Sequence, residues 1–459
     1  MKLRELIDCD LDIDITGIVD DSRLVKPGYI FVATKGFNVD HYDHIKDAID
    51  NGCVFLVVDR EIDFPFPHII VDNIDEYYKN ICLKFYDINL DDFSFIGITG
   101  TDGKTTTATI ISRLIKNSAY IGTNGLTING KTISTSNTTP CISELYSDLR
   151  KIKDAGIKTV VMEVSSEALL HNRVDNIKFD IVGFTNITGD HLNVHGSFEN
   201  YVKCKMKLLD LIKDDSYVVI NGDDVNLQRI KCQNMYSFGK NNVNFTIKNI
   251  SYINKSVLIE LKYKDMKYSI TSNLKGEYNV YNVVMAFIIS LLYGVDSKEL
   301  ISNIKKLKPI SGRCEELDFG QDYTIILDYA HTINGIENIL NTFKDYDRVI
   351  TVTGCAGGRE TSKRPIIGKM VIEKSDIAIF TMDDPRYESV DTIIDEMVGD
   401  NLDYIRITDR EEAINYALSI ACKRDVVLIL GKGRDNYMAI GDKKVKYNDY
   451  EVIKRYFEK

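Results

Sequence analysis

Apolar segments separated by polar turns recur along the chain and predict an α/β protein. The apolar run Phe93–Thr99 precedes a glycine- and threonine-rich loop, and a helix-like segment follows from Thr105. A strand, a glycine loop and a helix in this order open a nucleotide-binding α/β domain. Further strands are predicted in the first half at Tyr29–Ala33, Val54–Val58, Thr159–Val164, Ile181–Phe184 and Tyr217–Ile220.

The second half of the chain contains two further patterns. Residues 243–271 alternate between polar and apolar side chains, which predicts a β meander, and Asn279–Tyr293 has the length and composition of a helix. From residue 322 strands and helices alternate again, which predicts a second doubly wound unit. Its strands are expected at Tyr323–Leu327, Arg348–Thr353, Ile377–Thr381 and Val426–Leu430.

The length of 459 residues suggests three domains, at roughly 150 residues per domain. We predict an α/β fold with a small N-terminal α/β substrate domain over residues 1–90 and a central P-loop ATPase-like domain with a parallel sheet over residues 91–310. A Rossmann-like C-terminal domain is expected over residues 311–459. The second boundary is placed near Pro309–Gly312.

Composition narrows the class of protein. Hydrophobic residues make up 44% and charged residues 27%, as in ordinary globular proteins. A net charge of −11 argues against broad nucleic-acid or membrane-surface binding, although clustered cations still allow an anionic substrate. Nine cysteines without a C-x-x-C pair indicate reduced thiols, and Val283–Val295 is too short to span a bilayer. We expect a cytoplasmic protein without a signal peptide or membrane insertion.

The sharpest local signal is the sequence G-I-T-G-T-D-G-K-T from Gly97 to Thr105. Glycines let backbone amides converge on phosphate oxygens, and the helix that follows adds the positive end of its dipole. Lys104 is suited to reach the β- and γ-phosphates, and the Thr105 hydroxyl is suited to a Mg²⁺ shell. Since Ile98 stands where the usual spacing has glycine, a glycine-rich turn with an exposed lysine is the alternative. The expected ATP-binding residues of this loop are Gly100, Thr101, Asp102, Gly103, Lys104, Thr105 and Thr106.

Seven motifs in the same order along the chain resemble those of the Mur ligase family. Within that family they resemble the ligases that add an amino acid to a UDP-N-acetylmuramoyl-dipeptide. Besides the phosphate loop, the motifs are D-S-R with P-G-Y-I-F-V-A from Asp21, N-T-T-P from Asn137, M-E-V-S-S from Met162, T-N-I-T-G-D-H-L-N-V-H-G from Thr185, D-Y-A-H-T from Asp328 and G-K-G from Gly431.

The resemblance implies an ATP-dependent ligase of peptidoglycan synthesis that phosphorylates a carboxylate and then couples it to an amine. Its substrates would be the UDP-linked dipeptide, ATP and a free amino acid, and the enzyme would act as a monomer. The implied catalytic residues are Lys104, Glu163, His191 and Lys205. The implied Mg²⁺ ligands are Thr105, Glu163, His191 and, if it carries a carbamate made with CO₂, Lys205. The implied contacts are Asn282, Arg313 and Asp328 for ATP, and Ser22, Arg23, Thr138, Thr139, Ser165 and Arg173 for the UDP-linked substrate.

Several of these residues have structural alternatives. Glu163 is also suited to a salt bridge at a strand end, and Asn282 to a buried hydrogen bond. The lysines near residue 205 are also consistent with a solvated basic helix face, and Lys203 and Lys207 are close neighbours of Lys205. His331 resembles a family position near the nucleotide, although Ile333 replaces the usual proline.

The C-terminal domain is expected to select the amino acid. In the family a D-N-P-R arginine pairs with the distal carboxylate of meso-diaminopimelate, which a planar guanidinium suits. This chain has D-D-P-R, with Asp384 before Arg386, and Gly433-Arg434-Asp435 where the family has G-H-E. A third departure is Glu167 in place of histidine. The expected amino-acid-binding residues are Arg359, Asp383, Asp384, Pro385, Arg386, Gly431 and Asp435, with a glycine turn carrying solvated cations as the alternative for Arg359.

Meso-diaminopimelate is the first choice of substrate, followed by lanthionine and L-lysine. Three other activities stay open from the sequence. A P-loop kinase or ATPase would use Lys104 and Mg²⁺ without needing Arg386. A non-catalytic paralogue would bind the nucleotide-peptide only. A related ligase, such as a folylpolyglutamate synthase, would act on a different carboxylate, although D-S-R and T-T-P favour the muramoyl substrate.

Overall fold

The computed structural model describes residues 1–35, 40–253 and 256–458. Strands in chain order are β1 Gly17–Val19, β2 Tyr29–Val32, β3 Cys53–Val58, β4 His68–Ile70, β5 Ser94–Thr99, β6 Ser118–Gly122, β7 Gly125–Ile128, β8 Lys131–Ile133, β9 Thr159–Glu163, β10 Phe179–Phe184, β11 Ile212–Asn221, β12 Met235–Gly239, β13 Phe245–Ile253, β14 Ser256–Tyr263, β15 Met266–Ser272, β16 Glu315–Leu317, β17 Thr324–Asp328, β18 Val349–Thr353, β19 Ile377–Phe380, β20 Ile405–Arg406, β21 Val426–Leu430, β22 Tyr437–Ile440 and β23 Lys443–Lys446.

Fifteen α-helices are found in the described residues. They are α1 Leu3–Leu6, α2 Ile45–Asp50, α3 Ile74–Phe85, α4 Lys104–Leu114, α5 Ile142–Asp154, α6 Ser166–Leu170, α7 Leu192–His195, α8 Phe198–Met206, α9 Glu277–Leu292, α10 Ser297–Ile304, α11 Ile333–Phe343, α12 Arg364–Lys374, α13 Val390–Val398, α14 Arg410–Ile420 and α15 Asp449–Phe457. The strands and helices predicted from sequence therefore form, with ends shifted by a few residues.

The chain forms two compact units. The first contains Met1–Ile96, Asn117–Asp180 and Leu211–Lys213, and the second contains Gly97–Lys116, Ile181–Asp210 and Asp214–Lys459. The phosphate-loop segment and the whole C-terminal sheet thus belong to the same unit. The domain boundaries expected at residues 90 and 310 stay a prediction.

In the first unit a parallel sheet has the order β1-β2-β3-β4. Its central strands carry buried side chains on both faces, as the consecutive residues Ile30 and Phe31 of β2 show. Such continuous apolar runs are typical of parallel strands covered on both sides. Elsewhere in this unit β6 pairs in parallel with β9, and β7 and β8 continue from β6 as antiparallel strands.

In the second unit the predicted meander is confirmed, since β13, β14 and β15 pair in antiparallel order. Residues 254 and 255 of this stretch lie outside the described residues. The C-terminal sheet has the order β16-β17-β21-β18-β19-β20, with every pairing parallel except that of β16.

Helices cover both faces of the C-terminal sheet because apolar residues fill both sides of its strands. Ile326 packs in one cluster with Ile336 of α11 and Ile367 of α12. Its neighbour Leu327 points the other way and packs with Ile414 of α14 and Ile453 of α15. This is the doubly wound arrangement that the alternating pattern predicted.

A buried ion pair joins α14 to α15. Arg410 and Asp449 are both fully buried, and two guanidinium nitrogens donate to the two carboxylate oxygens at 2.8 and 2.7 Å. The second of these nitrogens also donates to the Leu430 carbonyl at 2.9 Å. An exposed pair, Arg455 with Glu411, joins the same two helices at 2.8 Å.

We predict that Asp449→Asn lowers the free energy of unfolding by about 3–5 kcal/mol, because it leaves a buried guanidinium without its counter-charge. The matched variant Glu411→Gln breaks the exposed pair and should cost about 0.2–1 kcal/mol. Chemical denaturation of both variants measures the difference. Equal losses would contradict the assignment of Arg410–Asp449 as the stabilising link.

Candidate active site

The phosphate loop forms where β5 ends and α4 begins. Gly100 and Gly103 adopt φ angles of 147° and 82°, and Gly103 is the N-cap of α4. A Cβ on Gly103 would lie 2.4 Å from the Asn282 Oδ1 atom, so glycine is required for space as well as for conformation. The amides at the start of α4 lie at the positive end of the helix dipole, which favours an anion.

Two lysines converge on the carbonyl of Gly100. The Lys104 ammonium donates to it at 2.9 Å and to the Thr101 carbonyl at 2.8 Å, and the Lys205 ammonium donates to it at 2.8 Å. Lys205 is only 1% exposed, whereas Lys203 and Lys207 are exposed. The alternative of a solvated basic face is therefore wrong for Lys205. Burial, followed by the charge of Lys104, lowers the pKa of Lys205 well below its usual range.

Asp102 ties the phosphate loop to the start of α11. Its carboxylate accepts from the Thr332 hydroxyl at 3.0 Å and from the Asn334 amide at 3.3 Å. Thr332 is also the N-cap of α11, where its hydroxyl accepts from the Gly335 amide. Burial raises the pKa of Asp102, while the charge of Lys104 opposes that shift. Thr332 ends the D-Y-A-H-T motif, but the sequence assigned no role to Thr332 or to Asn334.

The threonines of the loop are buried and bonded within the second unit. The Thr101 hydroxyl donates to the Thr188 carbonyl and meets the Tyr201 hydroxyl, both at 3.0 Å. Thr105 accepts from the Arg313 guanidinium at 3.0 Å, and Thr106 is buried beside it on the first turn of α4. Arg313 is thus placed against the phosphate loop.

Two further residues predicted to bind ATP are held by local hydrogen bonds. Asp328, at the end of β17, accepts from the amides of Cys314 and Ala330. Burial raises the pKa of Asp328, while Arg313 opposes that shift. Asn282 donates to Asn279 at 3.0 Å and accepts from a neighbouring threonine of α4 at 3.3 Å.

Asp190 and His191 begin the segment before α7. His191 has a φ of 55°, and its Nε2 atom lies 3.3 Å from Asp190 Oδ2. Burial raises the pKa of Asp190, but the charges of His191, His331 and Lys363 outweigh it and lower that pKa to about 2. Burial and then Lys363 lower the pKa of His331 to about 4, so this imidazole is neutral at pH 7.

In the first unit the predicted residues of the UDP-substrate site gather around Thr139. The Thr139 hydroxyl donates to the Glu163 carbonyl at 2.8 Å and to the Ser165 hydroxyl at 3.3 Å. The Arg173 guanidinium donates to the Thr139 carbonyl at 3.1 Å. Thr138 meets Thr123, which also donates to the Glu163 carboxylate.

The Glu163 carboxylate is fully buried at the end of β9. Its Oε1 atom accepts from the Tyr120 hydroxyl at 2.5 Å and from the Thr123 amide at 2.9 Å. Ser22 and Arg23 lie in the same unit, on a short turn after β1, where Arg23 is largely exposed and pairs with Asp21 at 2.7 Å.

In the second unit the residues predicted to bind the amino acid surround a buried lysine. The Lys432 ammonium lies 2.8 Å from Asp384, 3.4 Å from Asp435 and 3.9 Å from Asp383. Asp384 also accepts from the Ala439 amide at 2.9 Å. The charge that Asp384 adds to the D-N-P-R pattern is therefore neutralised inside the protein. The sequence motif contained Lys432 but did not assign it this role.

The other departure, Arg434, pairs away from the three aspartates. Its guanidinium donates to Glu315 at 2.9 and 2.6 Å and stacks 3.5 Å from the centre of the Tyr450 ring. Arg434 therefore does not pair with Asp435, the acidic residue of the segment Gly433-Arg434-Asp435. Burial raises the pKa of Asp435 to about 6, with Lys432 opposing the shift and Asp384 adding to it.

Arg386 and Arg359 form a cationic pair. Arg386 has a φ of 53° and donates to the Gly357 carbonyl at 3.2 Å. Burial and then the charge of Arg359 lower the pKa of Arg386. Two glycines leave no room for a side chain here. A Cβ on Gly357 would lie 2.0 Å from the Pro385 carbonyl oxygen, and a Cβ on Gly431 would lie 2.4 Å from a carboxylate oxygen of Asp383.

Within the described residues no three His, Cys, Asp or Glu side chains are grouped so that they could hold a metal ion. Among the implied Mg²⁺ ligands, Thr105, His191 and Lys205 belong to the second unit and Glu163 to the first. In the same described ranges, no helix has the length and apolar content to cross a membrane.

Comparison with known families gives two matches. The profile of the Mur ligase middle domain matches residues 98–290, and that of the Mur ligase glutamate ligase domain matches residues 312–433. The chain is 36% identical to a UDP-N-acetylmuramoyl-L-alanyl-D-glutamate–2,6-diaminopimelate ligase of Fusobacterium nucleatum, over 99% of this chain and 96% of the relative. It is 35% identical to the ligase of the same name from Bacillus licheniformis, over 97% and 95%.

Solved structures show the same fold. A UDP-N-acetylmuramoyl-L-alanyl-D-glutamate–2,6-diaminopimelate ligase aligns with a TM-score of 0.64 and 25% identity, covering 100% of this chain and 99% of the other. The MurF ligase of Thermotoga maritima in complex with ADP aligns with a TM-score of 0.69 and 18% identity, covering 96% and 97%.

We predict that Gly103→Ala weakens ATP binding at least tenfold, because the methyl group would displace Asn282 and deform the loop. Gly130→Ala is the matched control, since Gly130 has a similar φ of 76° but no atom within 4 Å of a built Cβ. Titration with a fluorescent ATP analogue measures both affinities. Equal affinities for the two variants would show that the close approach to Asn282 does not shape the nucleotide site.

Proposed function

Because the chain belongs to the Mur ligase family, we propose that it joins meso-diaminopimelate to UDP-N-acetylmuramoyl-L-alanyl-D-glutamate, with ATP as the energy source, in peptidoglycan synthesis. The observation that carries this proposal is that one compact unit contains the phosphate loop, the pair Arg359 and Arg386, and Asp435. The first suits a nucleoside triphosphate, and the other two suit a zwitterionic amino-acid terminus.

The first chemical step transfers the γ-phosphoryl group to the D-glutamate side-chain carboxylate. The O–P bond of the acyl phosphate forms, the bond to ADP breaks, and ADP leaves. Two anions must approach, so positive groups are needed along the path. Lys104 donates to the Gly100 carbonyl, and Arg313 contacts Thr105, which supplies cations at the loop.

The second step forms the amide bond. The amine of the amino acid attacks the acyl carbon, a tetrahedral intermediate forms, and phosphate leaves with the C–O bond. The amine nitrogen loses a proton on the way, which passes to the departing phosphate or to water. Both steps act on the same carbonyl carbon, that of the D-glutamate side chain. The phosphate loop and the residues that bind the incoming amino acid must therefore act on this one group.

The residues assigned to Mg²⁺ fit that ion. Thr105 offers a hydroxyl and Glu163 a carboxylate, and Mg²⁺ takes hard oxygen ligands while keeping several waters. His191 is the third assigned residue. When bound, Mg²⁺ neutralises phosphate charge and orients the transferred group.

We further propose that Lys205 carries a carbamate. Carbamate formation needs the neutral amine: its nitrogen bonds the carbon of CO₂ and loses a proton, leaving an anion. Lys205 is almost fully buried, and this burial lowers its pKa, which favours the neutral amine. The product would face the phosphate loop as a carboxylate.

For the amino acid, the proposed contacts divide by charge. Arg386 and Arg359 suit the distal carboxylate, and Asp435 suits the ammonium beside it. Since Lys432 neutralises Asp384, the arginine pair keeps its preference for a carboxylate. Lanthionine shares this layout and is the second candidate, whereas L-lysine lacks the distal carboxylate.

We also propose a monomeric, cytoplasmic enzyme. One chain contains the phosphate loop and the amino-acid residues, so no second copy is needed to complete them. The nine cysteines are all free thiols, which suits a reducing compartment.

The proposal is tested by incubating the protein with ATP, Mg²⁺, the UDP-linked dipeptide and each candidate amino acid, and weighing the product. We expect the mass of the diaminopimelate tripeptide and ADP release that depends on the amino acid.

Arg386→Ala should raise the KM for diaminopimelate at least tenfold, about 1.4 kcal/mol. ADP release without any amine would instead indicate a kinase or ATPase.

The pH dependence of kcat/KM should follow the ionisation of Asp435. This carboxyl has a pKa of about 6, so it is ionised above pH 6 and neutral below it. We predict that kcat/KM for diaminopimelate falls about tenfold per pH unit below pH 6, because a neutral acid no longer attracts the ammonium. Asp435→Asn should be slower and should lack this fall. Identical profiles for both proteins would remove Asp435 from the binding step.

A further inference from the structure

A buried arginine is hydrogen-bonded at the junction of two loops. The first follows β18 and carries Arg359, and the second follows β19 and carries Arg386. Arg364, the first residue of α12, is fully buried, and its Nη1 atom donates to Glu388 at 2.8 Å and to Glu396 at 2.7 Å. Its Nη2 atom donates to the Ala356 carbonyl at 3.1 Å. A buried guanidinium is tolerated only when such partners satisfy its charge, so these three hydrogen bonds hold Arg364 in place.

Glu388 extends these hydrogen bonds to both loops. One carboxylate oxygen accepts from Arg364, and the other accepts from the backbone amide of Gly358, directly before Arg359. Its own backbone amide donates to the Pro385 carbonyl at 3.0 Å, directly before Arg386. Arg364 and then the Gly358 amide lower the pKa of Glu388, so the carboxylate is charged at neutral pH.

The two loops are also in direct contact. The Gly357 amide donates to the Asp384 carbonyl at 3.1 Å, and a Cβ on Gly357 would lie 2.0 Å from the Pro385 carbonyl. Arg359 and Arg386 are thereby held close together although their like charges repel. Glu388 bonds the backbone directly before each of the two arginines, so it fixes the positions from which their side chains extend.

We propose that Glu388, anchored by Arg364, is a positioning residue that sets the spacing of Arg359 and Arg386 and thereby the preference for an amino acid with a distal carboxylate. This inference rests on the proposed function. Glu388 and Arg364 do not themselves contact the amino acid. Their effect is on the geometry of a bidentate pairing, which depends on the separation and orientation of the guanidinium groups.

Glu388→Gln tests the proposal, because it keeps the size of the side chain and removes its charge. We expect the KM for diaminopimelate to rise at least tenfold, with kcat within threefold of wild type and the KM for ATP unchanged. The ratio of kcat/KM for diaminopimelate to that for L-lysine should fall about tenfold. A general loss of packing would lower activity with both amino acids alike and would leave the ratio unchanged.

Glu396→Gln is the matched control. Glu396 lies on α13 and pairs with the same Nη1 atom of Arg364. Unlike Glu388, it accepts no hydrogen bond from the Gly358 amide in the described residues. It should lower the melting temperature about as much as Glu388→Gln while changing the substrate ratio less than twofold. Equal changes of the ratio in both variants, or none in Glu388→Gln, would overturn the inference.

The wild-type protein separates this inference from the proposed function. If wild type does not ligate diaminopimelate, the proposed function fails and the inference fails with it. If wild type ligates diaminopimelate and Arg386→Ala loses that preference while Glu388→Gln keeps it, only the role of Glu388 is overturned.

Discussion

The phosphate loop carries an acid where it must attract a polyanion, and the protein offsets that cost through the hydrogen bonds of Asp102. Thr332 and Asn334 donate to both carboxylate oxygens, so the start of α11 supplies the hydrogen bonds of this acid. Arg313 adds a second link by donating to Thr105. The segment proposed to bind phosphate is therefore held by hydrogen bonds from residues more than 200 positions away in the chain.

Charges are also balanced among the residues proposed to bind the amino-acid substrate. Three aspartates surround Lys432, and a glutamate and a stacked tyrosine take up Arg434. The paired arginines are left as the cations next to these groups, and Asp435 as the acid with a raised pKa. Substitutions that look disruptive in a motif are thus compensated by partners elsewhere in the same unit, and the ligation chemistry is compatible with them.

Much of this organisation could be predicted from the sequence, because strands and helices follow from apolar periodicity and motifs mark the loops between them. The strand before Gly97 and the helix after Gly103 form as expected. What could not be predicted depends on distant partners. Burial, not spacing, distinguishes Lys205 from Lys203 and Lys207, and the role of Asp384 depends on a lysine 48 residues away. The site assignments themselves stay proposals that the experiments above address.

The hydrogen bonds of Asp102 have a thermodynamic consequence. A group that joins the phosphate loop to the start of α11 links the two segments in free energy, and such linkage is reciprocal. A shortened chain that ended near residue 310 would lose Arg313, Thr332 and Asn334 together, exposing an uncompensated acid at the mouth of the loop. Affinities measured on such a fragment would therefore describe a different electrostatic environment from that of the whole protein.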